Sequence, residues 1–139
     1  MKITTDTNVL ISSTFWEGVS DKIMQKVENK EVELILSREL INEFMEVLDY
    51  DEIKDKIKDK NLKVRRSVEK IISISTIVEP SQKFEIVKDD LDDNMVINCA
   101  VEGNVDYVVT QDEHLLKIKE FKGIKIVKPE EFLWAFEKV

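Results

Sequence analysis

One cysteine, one histidine, two prolines and three glycines are all that 139 residues hold of the types that staple, ligate or break a chain. A lone Cys99 excludes an intramolecular disulfide. With His114 as its only companion, a conventional Cys/His zinc site cannot be assembled either. So little Gly and Pro leaves few breaks, and most of the chain should be regular structure. No apolar run approaches the roughly 18 residues a membrane span requires. The opening "MKITTDTNVLIS" lacks the apolar core of a signal peptide. No membrane association is expected, and a cytoplasmic location is. Positive charge is also scarce: 21 Lys and Arg against 29 Asp and Glu, for a net charge of −8. That disfavours a simple basic nucleic-acid binder, because phosphate contacts need Lys and Arg. It does not exclude nucleic acid, since a bound divalent cation would reverse the local sign.

What is present is an ordinary apolar fraction with interleaved charge of both signs, the composition of a folded chain rather than a disordered one. The length fits one domain, residues 1–139, and a chain of this size buries about two-thirds of its unfolded surface. Strand patterns fall at "KITTD" (2–6), "VELIL" (32–36), "STIVEP" (ending at Pro80), "DYVVT" (106–110) and "IKIV" (124–127). Between them, "TNVLISSTFW" is helical or irregular, and "SDKIMQKVENK" has helical spacing with Ser20 as its cap. "SRELINEFMEVLD" has Ser37 as cap and a stripe of Leu40, Ile41, Phe44, Met45 and Leu48. Helical patterns also cover 51–59, 62–73 and about 93–102, the last closed by Gly103 in a left-handed stop. "DEHLLKI" is a short helix, and "PEEFLWAFEK" is a final helix with Pro129 in its first turn. Strands alternating with helices argue an α/β fold with a mostly parallel sheet of about five strands.

In such sheets, ligands bind beyond the carboxyl ends of the strands. Asp6 closes the first strand and Asp112 follows the fourth by two residues. A third candidate lies in "VKDDLDDNMVINCAVEG", where Asp89, Asp90, Asp92 and Asp93 crowd ahead of a helix. With a helix start near Asp93, that carboxylate shares the face of Val96, Ile97 and Ala100. Asp92 turns about 100° away, and Asp89, Asp90 and Asp92 read as loop and cap. Glu43 lies at the margin of the apolar stripe of its helix, where it could lean over a cleft or lie in solvent. Several carboxylates with no Cys or His partner suit a hard oxygen-ligated cation, Mg²⁺ or Mn²⁺, able to assist displacement at phosphorus. One basic segment stands out. Residues 54–70 hold eight Lys or Arg against three acids. They read as a solvated helical surface or, through Lys58, Lys60, Lys63, Arg65 and Arg66, as an RNA-contacting arm. Cys99 reads as a packing residue. Trp134, with Phe132, Leu133 and Phe136, reads first as core and second as a dimer interface.

At these residues the chain resembles the PIN-domain family of metal-dependent ribonucleases. "TDTNVLIS" (5–12) is similar to the family's opening strand and turn, and "SRELINEFMEVL" to its Ser-to-Glu helix, with Glu43 at the acidic position. "DLDDNMVINCAVEGNVDYVVTQDEHLL" resembles the second half, and "IKIVKPEEFL" the usual ending. The likeness covers nearly the whole chain. It implies a three-layer α/β/α sandwich, with Asp6, Glu43, Asp93 and Asp112 holding one or two Mg²⁺ or Mn²⁺ ions. Asn8 and Thr110 would order the pocket. It also implies RNA as substrate and, as in the VapC-like toxins, an antitoxin partner and a homodimer. Two departures matter. "DLDDN" lacks the proline that often follows the first Asp, which leaves Asp90 open as an outer ligand. His114 stands near a position where some relatives carry a further acid, which bears on a second metal. Alternatives from other classes are a non-toxin RNA-processing nuclease, a phosphoacceptor module and a catalytically silent binding protein. The phosphoacceptor reading is weakened because only the single Asp6 closes the first strand.

Overall fold

The structure is a computed structural model that describes residues 1–15, 18–48, 69–86 and 91–137. In chain order the elements are β1 (Lys2–Thr5), α1 (Thr7–Phe15), α2 (Val19–Glu28), β2 (Glu33–Ser37) and α3 (Arg38–Leu48). A helical stretch over residues 69–74 leads to β3 (Thr76–Val78). Then come α4 (Leu91–Gly103), β4 (Tyr107–Val109), α5 (Glu113–Leu116), β5 (Glu120–Phe121), β6 (Ile124–Val127) and α6 (Pro129–Glu137). The sheet order is β3-β2-β1-β4-β6-β5, parallel throughout except for the β5–β6 pair. The alternation of strand and helix thus gives the mostly parallel α/β sheet it implied. The pattern showed five strands, and the structure adds a sixth. Its signal was "FKGI": Lys122 and Gly123 have φ of 50° and 82° between paired Phe121 and Ile124. Two positive-φ residues in a two-residue loop are the mark of a tight hairpin.

β1 sits at the centre, and Ile3, Thr4 and Thr5 are each fully buried. Successive strand residues face opposite sides, so burial of all three requires cover on both faces, which makes three layers. On one face lies α4, where Cys99 Sγ meets Thr4 Oγ1 at 3.5 Å and the Ile35 carbonyl at 3.7 Å. Cys99 is a packing residue, and burial pushes its thiol up to about 11. Phe132 and Leu133 of α6 enter the core, and Phe132 stacks edge-on against Tyr107 of β4.

Several local expectations are corrected. α2 begins at Val19 behind Gly18, so Ser20 lies inside the first turn and does not cap it. Met45 is exposed while Leu40 and Phe44 carry the buried stripe of α3. Trp134 is 65% exposed, because Pro129, Phe132 and Leu133 share the inward face of α6 and residue 134 falls off it. Gly103 does not take the left-handed stop; Asn104 does, at φ 53°. Gly103 is needed for a different reason. A Cβ there would lie 2.5 Å from Ile35 Cγ2, so only a hydrogen lets the end of α4 close on β2. The patterns at 51–59 and most of 62–73 lie outside the described residues.

Candidate metal centre

The strand order reverses direction between β1 and β4: β2 follows β1 on one side, while β4 lies on the other. Such a switch point opens a crevice at the carboxyl ends of its two strands. Asp6 directly follows β1, and Thr110 and Asp112 follow β4. Register brings the two ends together, with Thr5 opposite Val109.

Asp6 is 7% exposed and does two structural jobs. Its Oδ1 accepts from the Val9 backbone N–H at 3.0 Å, which caps α1. Its Oδ2 accepts from the fully buried Thr110 hydroxyl at 2.5 Å. Thr110 Oγ1 in turn accepts from the Asp112 N–H at 3.0 Å. Asp112 caps α5, its Oδ1 accepting from the N–H groups of His114 at 2.7 Å and Leu115 at 3.3 Å. Ser37 serves as the cap of α3, accepting from the Leu40 N–H. Each of these three strand-to-helix junctions therefore carries a cap, and two of the three are carboxylates facing one crevice. Asp6 and Asp112 thus each cap a helix and line the crevice.

Asp6, Thr7, Asn8, Glu43, Val47, Asp92, Asp93, Val96 and Asp112 line a cavity of about 140 Å³. The four acids drawn from separate elements, Asp6, Glu43, Asp93 and Asp112, share it, and Asn8 does as well. No Lys or Arg among the described residues lines it. The crowding has an electrostatic cost. Burial, with the nearby Asp112 charge, raises the Asp6 carboxyl above the ordinary carboxylate range, against the lowering from Thr110 and Val9. Burial, followed by the Asp92 charge, pushes Glu43 up to about 7, while the Thr7 hydroxyl pulls the other way. A protonated Glu43 also hydrogen-bonds to Asp92.

Asp92 corrects the helical-phase expectation. It is exposed, as a turned-away residue should be, yet it lines the cavity beside Glu43. The reason is the helix start. α4 begins at Leu91, so Asp92 and Asp93 both lie in its first turn, where either side chain reaches the crevice. Thr7 was missed, although a hydroxyl directly after the cavity aspartate in "TDTN" was the available signal. Asp89 and Asp90, and with them any role for Asp90 as an outer ligand, lie outside the described residues. So do Lys58, Lys60, Lys63, Arg65 and Arg66.

Could the cavity hold a metal? The donors are carboxylate oxygens that repel one another, which suits a hard divalent cation. Donor atoms of Asp93, Asp112 and His114 lie within 4.8 Å of one another. His114 Nδ1 is 3.9 Å from Asp93 Oδ2 and 3.9 Å from Asp112 Oδ1. The residues fit such an ion.

With the geometry described, the comparisons with known proteins bear on its class. The sequence profile of the PIN domain matches residues 2–114. The chain belongs to the PIN domain family. No curated protein matches it. Among solved structures it is similar to PAE2754 from Pyrobaculum aerophilum, at 16% identity and a TM-score of 0.64 over 100% of both chains. It is also similar to VapBC2 from Rickettsia felis bound to a DNA fragment from their promoter. That match has 13% identity and a TM-score of 0.58, and covers 91% of this chain and 97% of the other. At these identities the likeness is one of fold.

Proposed function

We propose that the chain is a Mg²⁺- or Mn²⁺-dependent endoribonuclease that hydrolyses RNA phosphodiester bonds, and that it is the toxin of a toxin–antitoxin pair. The observation that carries this reading is the convergence of Asp6, Glu43, Asp93 and Asp112 on one cavity at the sheet's switch point, with no Lys or Arg among the described residues in its lining. Family membership supports a nuclease, and the fold shared with VapBC2 supports the toxin reading.

A divalent cation bound there supplies charge stabilisation at phosphorus and activates water. The chain's own residues do the rest. Asp6 is fixed at both oxygens, by Val9 and Thr110, so its remaining lone pairs point in a set direction. Asp112 is fixed by the two N–H groups it caps. Asn8 lines the cavity beside them. Glu43, pushed up to about 7 by burial when no ion is present, would give up its proton as a cation binds.

RNA carries one negative charge per nucleotide, and the acidic cavity does not attract it unaided. The basic residues Lys58, Lys60, Lys63, Arg65 and Arg66 are assigned to that contact. The exposed Trp134 is assigned to a homodimer interface, and an antitoxin is the expected protein partner. The expected location is cytoplasmic; no helix among the described residues is long and apolar enough to cross a membrane.

The test is cleavage of structured RNA by the purified chain in Mg²⁺ or Mn²⁺, against chelator, with Asp6→Asn alongside. Cleavage that needs the metal and is lost in the variant supports the reading. Cleavage that survives the substitution places the chemistry elsewhere.

A further inference from the structure

The acids lining the cavity offer oxygen donors, and one ring nitrogen stands beside two of them. His114 is the single histidine in the chain, and its Nδ1 lies 3.9 Å from both Asp93 Oδ2 and Asp112 Oδ1. Its side chain is 64% exposed, against 7% for Asp93 and 29% for Asp112. It lies at the surface, so a small change in its position would not disturb the core. An ion about 2.1 Å from each donor holds neighbouring donor atoms about 3.0 Å apart at right angles and about 4.2 Å apart across it. The two separations from His114 fall inside that span, and the Asp93 and Asp112 donors lie within 4.8 Å of each other. Asp112 is anchored as the cap of α5, only two residues before His114. The cap thus fixes one ligand and the approach of the second together.

We infer that His114 is a metal ligand, and that its imidazole biases the site away from Mg²⁺ and toward a first-row transition ion, Mn²⁺ among the candidates. The inference rests on the metal-centre reading and deepens it. The chemistry is direct. A neutral imidazole adds no negative charge, so it contributes little to holding a hard, strongly hydrated Mg²⁺. The same nitrogen donor suits Mn²⁺, Co²⁺ or Zn²⁺, which accept imidazole readily.

Because His114 is the only histidine, its two ring nitrogens give unambiguous signals in a ¹⁵N-correlated NMR spectrum. The experiment titrates the whole chain with Zn²⁺, a diamagnetic transition ion, and separately with Mg²⁺. In parallel, calorimetry measures Mn²⁺ and Mg²⁺ affinity in the unaltered protein, in His114→Ala and in His114→Asp. The expected result is a large shift of Nδ1 alone with Zn²⁺. His114→Ala should lose about tenfold in Mn²⁺ affinity with Mg²⁺ nearly unchanged, and His114→Asp should move the preference back toward Mg²⁺. An Nδ1 signal unmoved at metal saturation overturns this inference while leaving the four-carboxylate centre intact. Equal losses for both ions in His114→Ala do the same. If neither ion binds the unaltered chain, this inference and the metal-centre reading fall together.

Discussion

Two neighbouring faces of α4 treat their polar side chains in opposite ways. On one face, Asn94, Asn98 and Glu102 recur every four residues, and each accepts a hydrogen bond from the extended segment that runs alongside. Asn94 takes the Ile86 N–H at 3.0 Å, Asn98 the Phe84 N–H at 2.6 Å and Glu102 the Ser81 N–H at 2.6 Å. The segment is not in the sheet, so these side chains satisfy backbone groups that would otherwise be stranded. In the first turn of the same helix, Asp93, about 100° round from Asn94, and Asp92, a further 100° on, line a cavity shared with the carboxyls of Asp6, Glu43 and Asp112. There burial first, and the neighbouring charges after it, raise the Asp6 and Glu43 carboxyls. The asparagines and Glu102 tie one segment of the chain to another; the acids gather from four elements on one cavity, and the proposed cation site rests on that gathering.

Changing one residue from each face should separate the two roles. The largest effect is expected at Asp93→Asn. RNA cleavage should fall at least about a hundredfold, while the thermal midpoint stays level or rises because a buried charge has been removed. Asp92→Asn is expected to cost a few-fold, through the altered charge beside Glu43. Equal losses in the two variants would show that depth in the cavity does not rank these acids. On the other face, Asn98→Ala strands the Phe84 N–H. It should destabilise the fold by about 1–3 kcal/mol in a denaturant titration, with cleavage per folded molecule retained. An Asn98→Ala protein of full stability would remove the contrast between the faces.

A smaller, pH-dependent effect should come from Glu43. A carboxyl whose folded value lies above its unfolded one binds more protons in the folded state. Metal-free stability therefore falls as pH rises through the window from about 4.5 to about 7. Asp6, also raised, acts in the same direction. Glu43→Gln should melt slightly higher than the unaltered protein at pH 7.5 and about equally at pH 4.5. A gap that widens toward acid pH would contradict the assigned shift.

The fold was largely legible because a parallel sheet buried on both faces writes itself as short apolar runs, such as "VELIL" and "DYVVT". The two-residue β5 was not, since its signal is a turn rather than a run. Asp6, Asp93 and Asp112 were legible for a related reason: each lies where a strand ends or a helix begins, and those positions can be read from local pattern, whereas Glu43, inside α3, was read from its place at the margin of the apolar stripe. Asp92 was misjudged because periodicity describes a helix interior, whereas a first-turn side chain answers to where the helix starts. Trp134 went astray through composition, as a crowd of aromatics suggested one shared face that the 3.6-residue repeat does not provide. The role of Gly103 was invisible in sequence because it depends on Ile35, 68 positions away.

The central claim is that the crowded carboxylates form one divalent-cation site. The most direct measurement is the thermal midpoint of the unaltered chain and of Asp6→Asn across a Mn²⁺ titration, starting in chelator. A ligand that binds only the folded state stabilises by RT ln(1 + [L]/Kd), so the midpoint of the unaltered chain should climb with the logarithm of Mn²⁺ concentration. The Asp6→Asn midpoint should start at or above the unaltered value in chelator and then barely move. An unaltered chain that melts at the same temperature in chelator and in millimolar Mn²⁺ would contradict the site.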